Sequence, residues 1–260
     1  MKSVKRTKLQ DTVPEGLLVN RAWLKDKGVN RSLVDYYLRS GVLEAVARGV
    51  YRRPGPDLKW QHVVYSLQVQ GYNVHVGGQT ALELQGLAHN LPMQGIRRVL
   101  LYGVDKLPDW IGQVSNTFTL ELKRPRLFSS FPEQAITTEP FGHWDWPIRL
   151  AKPELALLEL LAGVKKAVDF EVADTLLSGA SNLRPRLVTQ LLTECQSVLA
   201  KRLFLWFAER HQHSWLNRVE LVKVGLGSGK RMVVKNGTLD KKYQITVPKG
   251  MVDGSQQSVF

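Results

Sequence analysis

Residues 20–55 read NRAWLKDKGVNRSLVDYYLRSGVLEAVARGVYRRPG and predict two short helices around a glycine-containing turn. Asn20 can cap the first helix, and Gly28 lies where a left-handed residue would end it. Asn30 can cap the second helix, which Gly41 would end in the same way. The local sequence therefore predicts both helices and their ends.

The second predicted helix has two different faces. Its apolar residues recur at helical spacing, so one face can be buried; these residues are Leu33, Val34, Tyr37 and Leu38. The opposite face carries side chains that can contact phosphates and base edges: Arg31, Ser32, Asp35, Tyr36 and Arg39. This face is typical of a helix that enters the major groove of DNA.

A hairpin is predicted directly after the second helix. Ala47-Arg48-Gly49 can form a tight turn between two apolar strands, with Arg48 at its tip and with Arg52 and Arg53 after the second strand. Two helices and a basic hairpin in this order predict a winged helix-turn-helix. An ordinary helical hairpin with solvated arginines is the alternative, because short motifs often arise by chance.

The distribution of charge favours the winged helix-turn-helix over an ordinary helical hairpin. The 260 residues include 36 Lys and Arg against 23 Asp and Glu, a net charge of +13. Residues 1–60 hold 13 basic and 6 acidic side chains, residues 218–250 hold 8 and 2, and residues 61–217 hold 15 and 14. Two basic ends around a neutral centre indicate surfaces for a polyanion, and nucleic acid is the commonest such partner.

Composition limits the class of protein further. With 43% hydrophobic residues the chain can bury cores of its own. The basic N-terminus is not followed by the apolar run of a signal peptide or membrane anchor, so no membrane partner is expected. The single cysteine, Cys195, cannot form an intrachain disulfide, which favours the reducing cytoplasm and a role in core packing.

Pro54-Gly55-Pro56 indicates a domain boundary after the hairpin. We expect an α+β fold in which a winged helix-turn-helix DNA-binding domain at residues 1–55 is followed by a larger domain at residues 56–260. Hydrophobic periodicity divides the larger domain into three parts: a mixed α/β part at 56–150, a helical part at 151–213 and a β-rich basic end at 214–260.

Some local predictions for the larger domain are specific enough to test. Apolar spacing predicts helices over 185–199 and 203–211, separated near Lys201-Arg202, and a strand over 219–224. His211 and His213 are expected at a solvated helix end, without the partners of a zinc site. The glycine-rich run 225–230 is expected to form a hairpin turn, because Val224 and Arg231 do not fit a Walker loop.

A metal-dependent nuclease is the alternative function. Pro108-Asp109 and Glu121-Leu122-Lys123 match the spaced Pro-Asp and Glu-x-Lys elements of a large nuclease superfamily. Asp109 and Glu121 could hold Mg²⁺, and Lys123 could help to activate water. These residue types are common in basic proteins, and Asp109 could equally cap a turn. Apart from this alternative, we expect no catalytic residue, no cofactor and no metal.

Several segments together resemble one family. They are Gly16-Leu17-Leu18, Trp23-Leu24, Gly28, Tyr37, Ser40-Gly41, Leu43 and Arg48-Gly49-Val50-Tyr51, and then residues 76–82, 86–89, 227–231 and 239–243. The first group resembles the winged helix-turn-helix of the AbiEi family, the antitoxins of AbiE-type toxin–antitoxin systems. The second group resembles the start and end of that family's larger domain, so the resemblance covers nearly the whole chain.

The resemblance implies a bacterial protein with two functions. One is repression of its own operon through inverted repeats in double-stranded operator DNA, and the other is neutralisation of a nucleotidyltransferase-like toxin without a stable complex. The DNA contacts that it implies fall on the second helix and the wing: Asn30, Arg31, Ser32, Tyr36, Arg39, Arg48, Arg52 and Arg53.

Two questions stay open at the level of sequence. Inverted repeats require two copies of the DNA-binding domain, either as a dimer or as monomers that bind cooperatively. The basic segment 218–250 could contact flanking DNA, contact an RNA or remain a solvated surface.

Overall fold

The structure, a computed structural model, describes residues 9–87, 96–114 and 117–251. These residues form two compact units. The first unit is built from residues within Met1–His75, Ile96–Leu122 and Thr138–Arg149, and the second from residues within Val76–Gly95, Lys123–Thr137 and Leu150–Phe260.

The two helices predicted from the opening stretch are present in the first unit. Helix α1 spans Arg21–Asp26 and helix α2 spans Arg31–Arg39. The side chain of Asn20 accepts a hydrogen bond from a main-chain N–H of α1 at 2.8 Å. Asn30 does the same for α2 at 2.9 Å, which confirms both predicted caps.

Glycines end the two helices as predicted. Gly28 has φ +80° and Gly41 has φ +69°, in the left-handed region that a residue without a Cβ enters at little cost. Each glycine lies one residue after the residue that caps its helix. The apolar faces of α1 and α2 can pack against the same core.

A three-stranded antiparallel sheet accompanies these helices. Its strands are β1 (Val19–Asn20), β2 (Glu44–Ala47) and β3 (Val50–Arg52), in the order β1-β3-β2. Ala47 pairs with Val50, so that Arg48 and Gly49 form the turn between β2 and β3. This order of helices, strands and turn is the one that the winged helix-turn-helix prediction requires.

Helix α3 (Trp60–Val69) lies against the edge of β1 and its preceding residues. The N–H of Leu18 donates to Ser66 Oγ at 2.9 Å, and the side chain of Gln70 donates to the Leu18 carbonyl at 3.0 Å. The side chains of Ser66, in α3, and Gln70, just after it, thus satisfy main-chain groups at the edge of the sheet.

One hydrophobic cluster unites the first unit. It contains buried residues of α1, α2 and the small sheet together with Trp146, and Tyr65 and Phe141 pack against it. Tyr65 and Trp146 stack with ring centroids 4.5 Å apart. The core around the predicted DNA-binding segment therefore includes residues far beyond position 55, and the boundary between residues 55 and 56 stays a prediction.

The largest sheet has five strands. In chain order they are β4 (Val74–Val76), β5 (Arg98–Gly103), β6 (Thr119–Lys123), β7 (Ile136–Phe141) and β8 (Trp146–Ala151). Their spatial order is β6-β5-β4-β8-β7, and β4 pairs in parallel with β8. Strands β6 and β7 form the two edges of this sheet.

Five helices lie in the described part of the second unit. They are α4 (Gly78–Leu84), α5 (Pro153–Ala162), α6 (Ala167–Ser178), α7 (Pro185–Glu194) and α8 (Val198–Arg210). Helix α5 packs against α4 and α8, and seven of its ten residues are buried. Pro153 occupies the first turn of α5, where a proline is favoured because its missing N–H needs no partner there. His89 lies outside the described residues.

The helix break predicted near Lys201-Arg202 is wrong. The break lies at residues 195–197, where Cys195 is extended and Ser197 accepts a hydrogen bond from the Ala200 N–H at 3.2 Å. Both Lys201 and Arg202 are instead buried within α8. The sequence around residues 201–202 does not show the partners of Arg202, because they come from a distant segment of the chain.

Arg202 organises the glycine-rich segment that follows α8. Its residue is 3% exposed, and its guanidinium donates to four main-chain carbonyls: those of Leu226 at 2.9 Å, Gly227 at 3.1 Å, Gly229 at 2.6 Å and Gln244 at 3.3 Å. Gly227 has φ +60°, and a Cβ there would lie 2.9 Å from the Val198 side chain. The segment is therefore a loop folded around a buried cation.

Within residues 214–251, the described end of the chain contains less sheet than predicted. Residues 221–223 form a 3₁₀ turn in place of the predicted strand, because the Glu220 N–H donates to Thr189 Oγ1 of α7 at 3.1 Å. Strands β9 (Thr238–Asp240) and β10 (Ile245–Val247) pair antiparallel. This hairpin is the β element of the basic end.

The prediction of solvated histidines is wrong for His213. Its Nε2 lies 2.6 Å from the Leu177 carbonyl, and its ring stacks on Trp215 with centroids 5.4 Å apart. Burial lowers the pKa of His213. His211 Nε2 lies 2.9 Å from Asp174 Oδ1, so both histidines belong to the packing of the second unit.

Replacing Arg202 tests the role of this buried cation. A lysine cannot reach four carbonyls with one ammonium group, so Arg202→Lys should destabilise the protein by about 2–4 kcal/mol. Thermal unfolding of the variant measures the loss. Arg186→Lys, at an exposed position of α7, is the matched control and should leave the melting temperature unchanged. Equal melting temperatures for the two variants would contradict this role.

Candidate nucleic-acid interface

Helix α2 presents the polar face that the sequence predicts. Val34 and Tyr37 are buried on one side of the helix, at 1% and 3% exposure. On the other side Arg31, Ser32 and Arg39 are exposed, and Tyr36 is 41% exposed. The burial of one face thus leaves the predicted contact residues accessible to solvent.

Asn30 is used locally at the start of α2. Its Oδ1 accepts hydrogen bonds from the Leu33 N–H at 2.9 Å and from Ser32 Oγ at 3.1 Å. A side-chain oxygen committed to the cap fixes the first turn of the helix. The structure therefore gives Asn30 a role in positioning α2, whereas its predicted contact with DNA stays a prediction.

Arg21 of α1 connects this helix with α2 and β3, a role that the sequence did not predict. Its Nε donates to Tyr51 Oη of β3 at 2.7 Å, and its Nη2 lies 3.2 Å from Asp35 Oδ1 of α2. The guanidinium also lies 5.8 Å from the centre of the Tyr51 ring, within range of a cation–π contact. The hydrogen bond to Tyr51 raises the pKa of Arg21.

Only the partners of Arg21 show its role, because residues 21, 35 and 51 have no spacing that marks them in the sequence. A helix cap involves only neighbouring residues and can be found from the sequence. The contacts of Arg21 depend on how α1, α2 and β3 are placed in the fold. In the sequence, Arg21 is simply one of several arginines in residues 20–55.

The three predicted arginines of the wing differ in their surroundings. Arg48 is exposed at the tip of the β2–β3 hairpin. Arg52 donates through Nε to Glu44 Oε1 at 2.6 Å and through its other nitrogens to the carbonyls of Pro56 and Gly55 at 2.9 and 3.5 Å. Arg53 has intermediate exposure. Arg52 therefore joins β2, β3 and the following loop, and Arg48 is the arginine most available to a ligand.

The two acidic residues of the nuclease alternative each pair with a different basic residue. Asp109 lies in the 3₁₀ turn Asp109–Gln113, beside β2, and its Oδ1 is 3.4 Å from Lys106 Nζ in an exposed ion pair. Glu121 Oε2 accepts from Arg98 Nε at 2.6 Å. Lys123 ends β6. These contacts give no support to the hypothesis that the three residues form one metal site.

The described residues contain no metal-binding group of side chains, and one candidate anion position is occupied by a side chain. Within residues 9–87, 96–114 and 117–251, no three His, Cys, Asp or Glu side chains are arranged to hold a metal ion. The Gly78 N–H, at the start of α4, donates to the carboxylate of buried Glu159 at 3.0 Å, so a side chain occupies that anion position. None of the helices in these ranges has the length and apolar character needed to cross a membrane.

The different surroundings of Arg48 and Arg52 predict different effects on stability. Arg52→Ala removes the contacts that join the wing strands to the next loop and should destabilise the protein by about 1–2 kcal/mol. Arg48→Ala, at the exposed tip, should stay within about 0.5 kcal/mol of wild type. Thermal unfolding measures the loss of stability in both variants. If Arg52→Ala lowers stability no more than Arg48→Ala does, Arg52 has no structural role in the wing.

Comparison with known proteins places these features in a family. A family model of the AbiEi antitoxin N-terminal domain, described as a transcriptional regulator, matches residues 2–93. A second model, described as transcriptional regulator, AbiEi antitoxin, type IV toxin–antitoxin system, matches residues 97–248.

Among solved structures, the chain has a fold similar to that of the RV2827C protein from Mycobacterium tuberculosis. The two share 13% sequence identity over 89% of this chain and 86% of that chain, with a TM-score of 0.54. No protein of curated function matches the sequence significantly. The family models cover nearly the whole chain, which belongs to the AbiEi family of antitoxins, transcriptional regulators of type IV toxin–antitoxin systems.

Proposed function

We propose that the protein represses its own toxin–antitoxin operon by placing α2 in the major groove of operator DNA. The observation that supports the proposal is the division of α2 into a buried apolar face and an exposed face that carries Arg31, Ser32, Tyr36 and Arg39. The exposed face is rich in groups that bind phosphates and base edges. The chain belongs to a family of transcriptional regulators, which supports the same assignment.

In this proposal the basic side chains have two kinds of role. Arg31, Arg39, Arg48 and Arg53 attract phosphates, and Ser32 and Tyr36 contribute contacts in the groove. Asn30 and Arg52 act through structure, because the first fixes the start of α2 and the second fixes the wing. Binding two inverted repeats requires two copies of this surface, and the bound protein would block RNA polymerase.

We further propose that the protein neutralises a nucleotidyltransferase-like toxin encoded beside it, without forming a stable complex with it. Family membership supports an antitoxin function, and the larger family model covers residues 97–248. The nuclease alternative receives no comparable support, because Asp109 and Glu121 are each paired with a different basic residue.

Removing two arginines from α2 tests the proposed DNA-binding face. Arg31→Ala combined with Arg39→Ala should weaken binding to the protein's own promoter by about 10-fold or more, since charge-assisted phosphate contacts are lost. The slope of log affinity against log salt concentration should become shallower by about 2. Fluorescence anisotropy with labelled promoter DNA over a range of salt concentrations measures both quantities.

A matched variant controls for the change in net charge. Lys165→Ala combined with Arg186→Ala removes two exposed positive charges from the second unit and should change promoter affinity by less than the α2 variant does. Circular dichroism should show an unchanged fold in both variants. Equal affinities of the α2 variant and wild type would show that this face does not bind DNA, and equal wild-type affinity for promoter and scrambled duplex would contradict operator recognition.

The antitoxin function is tested by co-expression. Cells that produce the toxin from the neighbouring gene should resume growth when the full-length protein is produced with it. Affinity purification of the tagged protein from the same cells should recover little toxin. Failure to restore growth would contradict the antitoxin function, whereas stoichiometric recovery of the toxin would contradict the absence of a stable complex.

A further inference from the structure

Asp35 is an acidic residue in the middle of the exposed face of α2. It follows Arg31 and precedes Arg39 by one helical turn each, and it lies next to Ser32 on the same face. Its side chain is 42% exposed. A carboxylate at this position repels the phosphates of any DNA, so its presence on a DNA-binding face calls for a separate explanation.

The structure holds the Asp35 side chain in a defined direction. Arg21 Nη2 lies 3.2 Å from Asp35 Oδ1, and the same guanidinium donates through Nε to Tyr51 Oη at 2.7 Å. Tyr51 is 5% exposed and is held in β3 by pairing with β1 and β2. Asp35 is therefore oriented by a cation that is itself attached to the sheet.

Stability alone does not explain this arrangement. Arg21 and Asp35 are 43% and 42% exposed, and ion pairs at such exposure contribute little to folding. The contact with Arg21 also leaves acceptor capacity on Asp35, because a carboxylate has two oxygens with about four lone pairs. An oriented acceptor on a groove-facing helix suits one partner in particular, the exocyclic amino group of cytosine.

From this geometry we propose that Asp35 determines specificity by accepting a hydrogen bond from the N4 amino group of a cytosine, and that Arg21 is the residue that positions it. The proposal rests on the proposed binding of α2 in the major groove. Asp35 weakens binding to DNA in general through charge repulsion and regains affinity only where the base offers a donor. The carboxylate thus increases the ratio of operator affinity to non-specific affinity.

In vitro selection from random duplexes tests this proposal with wild-type full-length protein and three variants. The wild type should enrich cytosine at one position of each half-site. Asp35→Ala should lose this preference, with discrimination at that position reduced roughly fivefold or more. Asp35→Asn should change the preferred base to adenine, because asparagine pairs with adenine N6 and N7. Asp26→Asn makes the same change of charge near the end of α1 and should keep the wild-type preference.

Anisotropy measurements on a scrambled duplex complete the test. Asp35→Asn should increase affinity for this DNA, because one repulsive charge is removed. Arg21→Gln should weaken the preference for cytosine while leaving preferences at other positions intact, a change that a loss of stability alone would not produce.

The outcomes separate this inference from the proposed function. A wild-type protein that selects no sequence contradicts DNA recognition, and with it the role of Asp35. A wild type that selects a sequence, together with an Asp35→Ala variant of identical preference, contradicts the role of Asp35 alone. If Arg21→Gln lowers the melting temperature but keeps every base preference, Arg21 does not position Asp35.

Discussion

Burial of the apolar face of α2 fixes the arrangement of the DNA-binding segment predicted in the first unit. Val34 and Tyr37 lie in a hydrophobic cluster that also includes residues of α1, the small sheet and Trp146. Burying a large apolar side chain contributes about 1.5–3 kcal/mol, whereas the surface ion pairs of this region contribute far less. The core therefore determines how α2 is rotated about its axis, and the exposed polar face is a consequence of that rotation.

Arginine side chains then fix the positions of segments that the core alone does not hold. Arg21 and Arg52 are attached to the small sheet and limit the freedom of Asp35 and the wing. In the second unit, buried Arg202 holds the glycine-rich loop through four carbonyls. In both units an arginine joins segments that are distant in sequence, because its planar group can donate several hydrogen bonds at once.

Local features could be predicted from the sequence, and long-range partners could not. The caps at Asn20 and Asn30 and the helix ends at Gly28 and Gly41 depend only on neighbouring residues, and all four were confirmed. The break near Lys201-Arg202 was misplaced because the carbonyls that satisfy Arg202 come from residues 226–244. The exposed polar face of α2 followed from its periodicity, whereas the roles of Arg21 and Arg52 required knowledge of the fold.

Photocrosslinking from α2 shows which surface of the protein meets the operator. A photoreactive phenylalanine analogue in place of Tyr36, which is 41% exposed, would be compared with the same analogue in place of Val168, which is 55% exposed on α6. If α2 enters the major groove, position 36 should crosslink to one site in each inverted repeat of the promoter, and position 168 should not crosslink. Crosslinks from position 168 in the absence of any from position 36 would show that another surface of the protein binds the operator.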